Sequence, residues 1–118
     1  MRQKHHRTER VAEEIRHTVA TFLTGEIRDP RIGFVTVTGV RVSGDLGHAW
    51  VSVSVIGVPE EQERSLAGLA SAAGYLRAQL AKELKLRIVP ELRFELDKGL
   101  EHSTRIERLL KDLKEGQD

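Results

Sequence analysis

Seven cations carry the chemistry that this sequence offers most plainly. Arg77, Lys82, Lys85 and Arg87 stand close together in the second half of the chain, and Arg7, Arg10 and Arg31 stand near its start. Long cationic side chains neutralise phosphate oxygens and release counterions whatever the base sequence, so such a set is suited to a polyanion. Arg77 follows Gly74 by three residues, close to one helical turn, which puts Gly74, Arg77 and Ala81 along one side of a helix. If the helix breaks at Gly74, the amides of a new helix start also favour an anion there. The plainer alternative is that Arg77 lays its stem on the surface and pairs with a carboxylate. Asp29-Pro30-Arg31 can equally hold a loop through an internal ion pair.

Other chemistries find less support. There is no cysteine, which excludes disulfides, thiolate metal sites and cysteine nucleophiles and fits a reducing cytosol. His5 and His6 are adjacent and lack the i, i+4 spacing of a helical metal pair; His17, His48 and His102 have no matching ligand cluster. Asp29, Asp45, Glu95 and Asp97 are the carboxylates that a small metal-dependent nuclease would use, but nothing in their spacing forces convergence. Asp29, Asp45 and Asp97 sit where turns or strand ends are expected, where carboxylates accept backbone hydrogen bonds. No catalytic residue, metal site or cofactor is therefore assigned. Aromatics are few: Phe22, Phe34, Trp50, Tyr75 and Phe94. Phe22 and Phe94 fall on apolar stripes, Trp50 is expected to pack, and Tyr75 is left between packing and base stacking. That scarcity favours recognition of folded RNA by shape and charge over single-strand reading.

The elements that must position these residues follow from periodicity. A helix is expected from near Lys4–Thr8 to about Thr24, with Val11, Ile15, Val19, Phe22 and Leu23 on one side and Gly25 as a stop. Pro30 forbids helix in the next segment. Phe34–Val42 reads as a strand whose apolar phase slips at Gly39, which predicts a bulge there. Ser43-Gly44-Asp45-Leu46-Gly47 is turn chemistry. In Ala49–Ile56, Ala49, Val51, Val53 and Val55 alternate with Trp50, Ser52 and Ser54, which predicts a strand covered on one face. Pro59-Glu60-Glu61 resembles a helix start. Leu66, Leu69, Ala70, Ala73, Leu76, Leu80 and Leu84 then form one stripe interrupted by Gly74. Unbroken, Arg64–Arg87 would span roughly 36 Å at about 1.5 Å per residue, so a bend into two helices is expected at Gly74. Leu92, Phe94 and Leu96 alternate in a short strand after Pro90, and Ser103–Lys114 reads as a weakly amphipathic final helix through Ile106, Leu109, Leu110 and Leu113.

The 118 residues suit one domain with a modest core. The net charge is only +1, but residues 64–93 carry six basic against two acidic side chains and residues 1–10 carry four against one. A basic face on a nearly neutral molecule still binds a polyanion locally. The basic N-terminus has no apolar run behind it, so no secretory signal is expected, and no stretch is long enough to cross a bilayer.

Five stretches together resemble the ribosome-binding factor A family. They are Arg7-Thr8-Glu9-Arg10-Val11-Ala12-Glu13-Glu14-Ile15, Asp29-Pro30-Arg31-Ile32-Gly33, Val35–Val40 with Val42–Leu46, Ala72-Ala73-Gly74-Tyr75-Leu76-Arg77, and Leu86–Phe94 with Asp97. The resemblance covers about Arg7 to Leu110. It implies an α+β, single-domain type II K-homology-like fold, ordered helix–strand–strand–helix–kink–helix–strand, with a three-stranded sheet over residues 4–98 and a C-terminal helical tail over 99–118. It implies that Ala72, Ala73 and Gly74 form a helix-kink element in place of the usual RNA-gripping glycine loop. It further implies a cytoplasmic, monomeric, non-enzymatic factor, without cofactor. Such a factor binds the free small (30S) ribosomal subunit and its rRNA and assists late maturation and 5′-end processing of pre-16S rRNA, notably in the cold. The implied partners include an assembly GTPase and exclude membranes. A protein-interaction module of the assembly machinery is the alternative, with a nuclease behind it.

Overall fold

The computed structural model describes residues 2–25 and 27–97. The expected tail over 99–118 and its helix at Ser103–Lys114 lie outside the described residues. The elements are α1 (Arg2–Gly25), β1 (Val35–Val42), β2 (His48–Val55), α2 (Pro59–Leu84) and β3 (Glu91–Leu96).

The sheet order is β1-β2-β3. β1 and β2 form an antiparallel hairpin, whereas β2 and β3 run parallel, with α2 as the crossover between them. The hairpin turn is built by Asp45, whose Oδ1 accepts from the Ser43 hydroxyl at 2.7 Å and the Gly47 N–H at 2.9 Å. These two bonds leave Leu46 at φ 61 with its side chain returned to the core. The phase slip of β1 has the expected cause. Val37 faces Val53 and Gly39 faces Ser52, so Thr38 is the extra residue of a bulge. Its hydroxyl donates to the Ser52 carbonyl at 3.2 Å, which gives the unpaired position a partner.

One face of the sheet holds the core. Ala49, Val51, Val53 and Val55 are buried against Val11, Ile15, Val19 and Phe22 of α1 and Leu69, Leu76 and Leu80 of α2. The steps of three and four in each helix lay one stripe over the strands. Burying side chains of this size contributes about 1.5–3 kcal/mol each, which is why both helices take the same side.

One expectation is corrected in α2. The segment expected as two helices meeting at a kink is one helix, Pro59–Leu84, uninterrupted through Gly74. Glycine in a helix interior costs only about 1 kcal/mol relative to alanine. The buried Leu69, Leu76 and Leu80 on either side of Gly74 outweigh that, so tertiary packing overrides the local breaker. Gly74 also does not serve close packing, because a Cβ built there would meet nothing within 4 Å. The glycine that does is Gly68, where a Cβ would lie 2.7 Å from Ile32 Cγ1 and 3.3 Å from Arg31 Cβ. One turn earlier, the Ser65 hydroxyl accepts from the Gly33 N–H at 3.0 Å and donates to the Arg31 carbonyl at 3.3 Å. Ser65 and Gly68 thus seat the α1–β1 loop on α2.

Candidate nucleic-acid interface

α2 and β3 enclose an open groove of about 550 Å³. Its helix wall is Ala70, Ala73, Gly74 and Arg77, and its strand wall is Glu91, Leu92, Arg93 and Phe94. The walls follow from the fold. β3 pairs on one side only among the described residues, so its free edge faces outward beside α2. Small residues at 70, 73 and 74 keep the helix wall low. The missing side chain of Gly74 therefore leaves space in the groove.

Arg77 stands on this groove, but its guanidinium is already in use. Nε and Nη2 both donate to the Val89 carbonyl, at 3.2 and 3.0 Å. The fork ties the middle of α2 to the segment that enters β3. That segment begins at Lys85, which ends α2 in the left-handed region at φ 50, where glycine is the usual residue. The reversal sends Lys85 and Arg87 outward, and both are exposed, as is Lys82 in the last helical turn. Lys82 also faces the negative end of the helix dipole, a favourable place for a cation. None of Lys82, Lys85 and Arg87 forms an ion pair among the described residues. Three unneutralised cations therefore project from one end of α2, with Arg77 behind them as a brace.

The remaining expected cations are placed differently. Arg31 pairs with Asp29: Nη2 lies 2.7 Å from Oδ2, Nε 3.1 Å from Oδ1, and the Arg31 N–H also donates to Oδ1 at 2.9 Å. This is the internal ion pair that the Asp-Pro-Arg sequence allowed. The Arg31 side chain, with its backbone N–H next, holds the Asp29 carboxyl below the usual carboxylate range. Asp45 is likewise held low, first by the Ser43 hydroxyl and then by the Gly47 N–H. Arg7 and Arg10 are exposed on α1, a separate element from the groove. Ala73 and Gly74 line the groove, whereas Ala72 faces a shallow hollow on the other side of α2 with Ile27, Arg28, Asp29, Ser71 and Tyr75.

Tyr75 meets Phe22 edge to face with centroids 6.2 Å apart, while 45% of it stays exposed. Trp50 packs, as expected: the Arg41 guanidinium sits 4.7 Å over its ring and His48 stacks beside it at 6.0 Å. Sequence reasoning overlooked Arg93, which lines the groove with its side chain 3.6 Å from Glu91. Alternation with Leu92 and Phe94 marked it as outward, but only the parallel pairing of β3 shows that this strand borders a groove. The carboxylates considered for a nuclease do not converge. Asp29 is taken up by Arg31 and Asp45 by its own turn, and among the described residues no three His, Asp or Glu side chains are grouped to hold a metal. Among the same residues no helix is long and apolar enough to cross a membrane.

The family model described as Ribosome-binding factor A matches residues 7–110. A Ribosome-binding factor A from Natranaerobius thermophilus is 46% identical over 112 residues, covering 95% of this chain and 86% of that protein. The solution structure of a Thermotoga maritima protein assigned to ribosome-binding factor A superposes with a TM-score of 0.71 at 39% identity, covering 79% of this chain and 89% of that one. A homology model of Thermus thermophilus ribosome-binding factor A, as fitted into an electron cryo-microscopy map of a complex with the 30S subunit, gives a TM-score of 0.62 at 28% identity, covering 74% of this chain and 91% of that one.

Proposed function

The chain belongs to the ribosome-binding factor A family, and from that premise we propose that it binds the free 30S ribosomal subunit in the cytoplasm as a monomeric, non-catalytic assembly factor. In this reading it assists late maturation and 5′-end processing of pre-16S rRNA without cutting the RNA itself, with an assembly GTPase promoting its release. The observation that carries the reading is the trio Lys82, Lys85 and Arg87, exposed and free of ion pairs among the described residues, on the helix end and exit that follow the open α2–β3 groove.

The physical mechanism is positional. The cations supply sequence-independent attraction to phosphates. The fork from Arg77 to Val89 and the left-handed turn at Lys85 fix where they point, so less freedom is lost on binding. A rigid protein of this kind acts on RNA folding by favouring the RNA shape that matches its surface.

The test is a salt titration of binding to isolated precursor subunits. Neutralising a handful of phosphates at about 0.7–0.9 each predicts a log–log slope of about −3 to −6. A flat response would remove phosphate contact from the account and favour docking through protein alone.

A further inference from the structure

The two edges of the sheet are treated differently. β1 is blunted by the bulge at Thr38, where the register slips between Val37 and Gly39. β3 pairs with β2 without a slip, and Glu91–Leu96 holds no proline, lysine or glycine. Bulges, prolines and lysines are the usual protection of an exposed edge, so β3 stands bare. Its ladder shows which backbone groups are left over. The Glu91 N–H donates to the Gly47 carbonyl at 2.9 Å and the Asp97 N–H to the Val53 carbonyl at 2.7 Å. In a parallel ladder every second residue bonds to the same neighbour, so Glu91, Arg93, Glu95 and Asp97 turn their amides to β2. Leu92, Phe94 and Leu96 turn theirs to the outer edge, where nothing among the described residues pairs with them.

This edge opens into the groove beside α2, whose helix wall of Ala70, Ala73 and Gly74 is low. The groove therefore has small side chains on one wall. On the other it has a strand that offers N–H donors and C=O acceptors in alternation, repeating every ~6.6 Å. An extended polypeptide matches that pattern with its own backbone, as in strand addition at a sheet edge. A phosphate backbone offers acceptors to the N–H groups but leaves the Leu92 and Phe94 carbonyls without donors, and Glu91 on the same wall repels it. We propose that an extended segment of a small-subunit protein adds to β3 as a further strand of the sheet, with small or apolar side chains at alternate positions against Ala70, Ala73 and Phe94. The inference rests on the proposed function for where the partner is met, but not on Lys82, Lys85 and Arg87, which do not line the groove.

Hydrogen exchange at single amides of the full-length protein tests the edge. The Leu92, Phe94 and Leu96 amides should exchange at least about tenfold faster than those of Arg93 and Glu95. Equal protection of the two sets would mean that the edge is already paired, and would overturn the proposal. Gly74→Leu tests the occupant. Leucine is a better helix former than glycine and has open space there, so the variant should fold with an undiminished thermal midpoint. It should bind intact precursor subunits about tenfold more weakly, with an unchanged salt slope, yet bind protein-free precursor rRNA as tightly as the natural chain does. An equal loss on protein-free rRNA would overturn the proposal and assign the groove to RNA. Undiminished affinity for intact subunits would also overturn it. A flat salt response of the natural chain removes the phosphate contacts alone and leaves this comparison decisive, so the two readings fail separately.

Discussion

Arg77 illustrates how one side chain's role depends on a contact far away in sequence. Its position one turn after Gly74 marked it as a direct phosphate ligand, whereas its fork holds the Val89 carbonyl twelve residues later. Lysine keeps the charge but cannot present two N–H groups in that fixed geometry. Arg77→Lys should therefore quicken amide exchange at Arg87 and Ile88. Losing hydrogen bonds worth about 0.5–1.5 kcal/mol should weaken subunit binding about three- to tenfold. If Arg77 acted by charge alone, the substitution would leave both measurements unchanged. Asp29 offers a second check. Because Arg31 favours the ionised carboxylate, the folded value lies below the unfolded one, about 3.9 for Asp. The stabilisation is thus present above that pH and lost as pH falls through the folded value. A carbon-13 titration should find the Asp29 midpoint below the ordinary carboxylate value. Arg31→Ala removes the guanidinium but keeps the backbone N–H, so it should move the midpoint up towards that value without fully restoring it, while leaving Asp45 displaced, since Asp45 depends on Ser43 and Gly47. An Asp29 midpoint that ignores Arg31→Ala would contradict the ion-pair assignment.

The two glycines of α2 give opposite predictions that follow from their surroundings. Gly74 has open space where a Cβ would go and a helical backbone. Gly74→Ala should therefore stabilise the protein by about 0.5–1 kcal/mol. Gly68→Ala must push Ile32 aside and should destabilise it by about 1–3 kcal/mol. Chemical denaturation of both variants checks the pair, and a destabilised Gly74→Ala would reinstate a functional bend. At this scale much of the fold was legible. The two-residue alternation of β2 announced its buried face, because a strand covered on one side writes that period directly into the sequence. The phase slip at Gly39 announced the bulge for the same reason. The unbroken α2 was not legible, because a glycine's local cost is visible in a sequence while the compensating burial of Leu69, Leu76 and Leu80 is not. Nor was the Ser65–Gly68 seat, since its partners Arg31, Ile32 and Gly33 lie more than thirty residues away.

For the whole molecule, the arrangement would let a chain of net charge +1 hold a polyanion under the proposed function. The helices spend their apolar stripes on one sheet face, which leaves the far end of α2 and its exit to carry charge into solvent. The sequence showed which residues were cationic but not which were free. That distinction needed the pairing of Arg31 with Asp29 and the bonding of Arg77 to Val89, both properties of the folded chain. The most direct measurement of the central claim is equilibrium binding to isolated small subunits by Lys82→Glu/Lys85→Glu/Arg87→Glu, compared with Arg41→Glu on the open sheet face. All four side chains are exposed, so the variants should fold. The triple variant should lose at least about a hundredfold in affinity, with a salt slope reduced by about 2–3, while Arg41→Glu should change little. Equal affinity for the triple variant and the natural protein would contradict it.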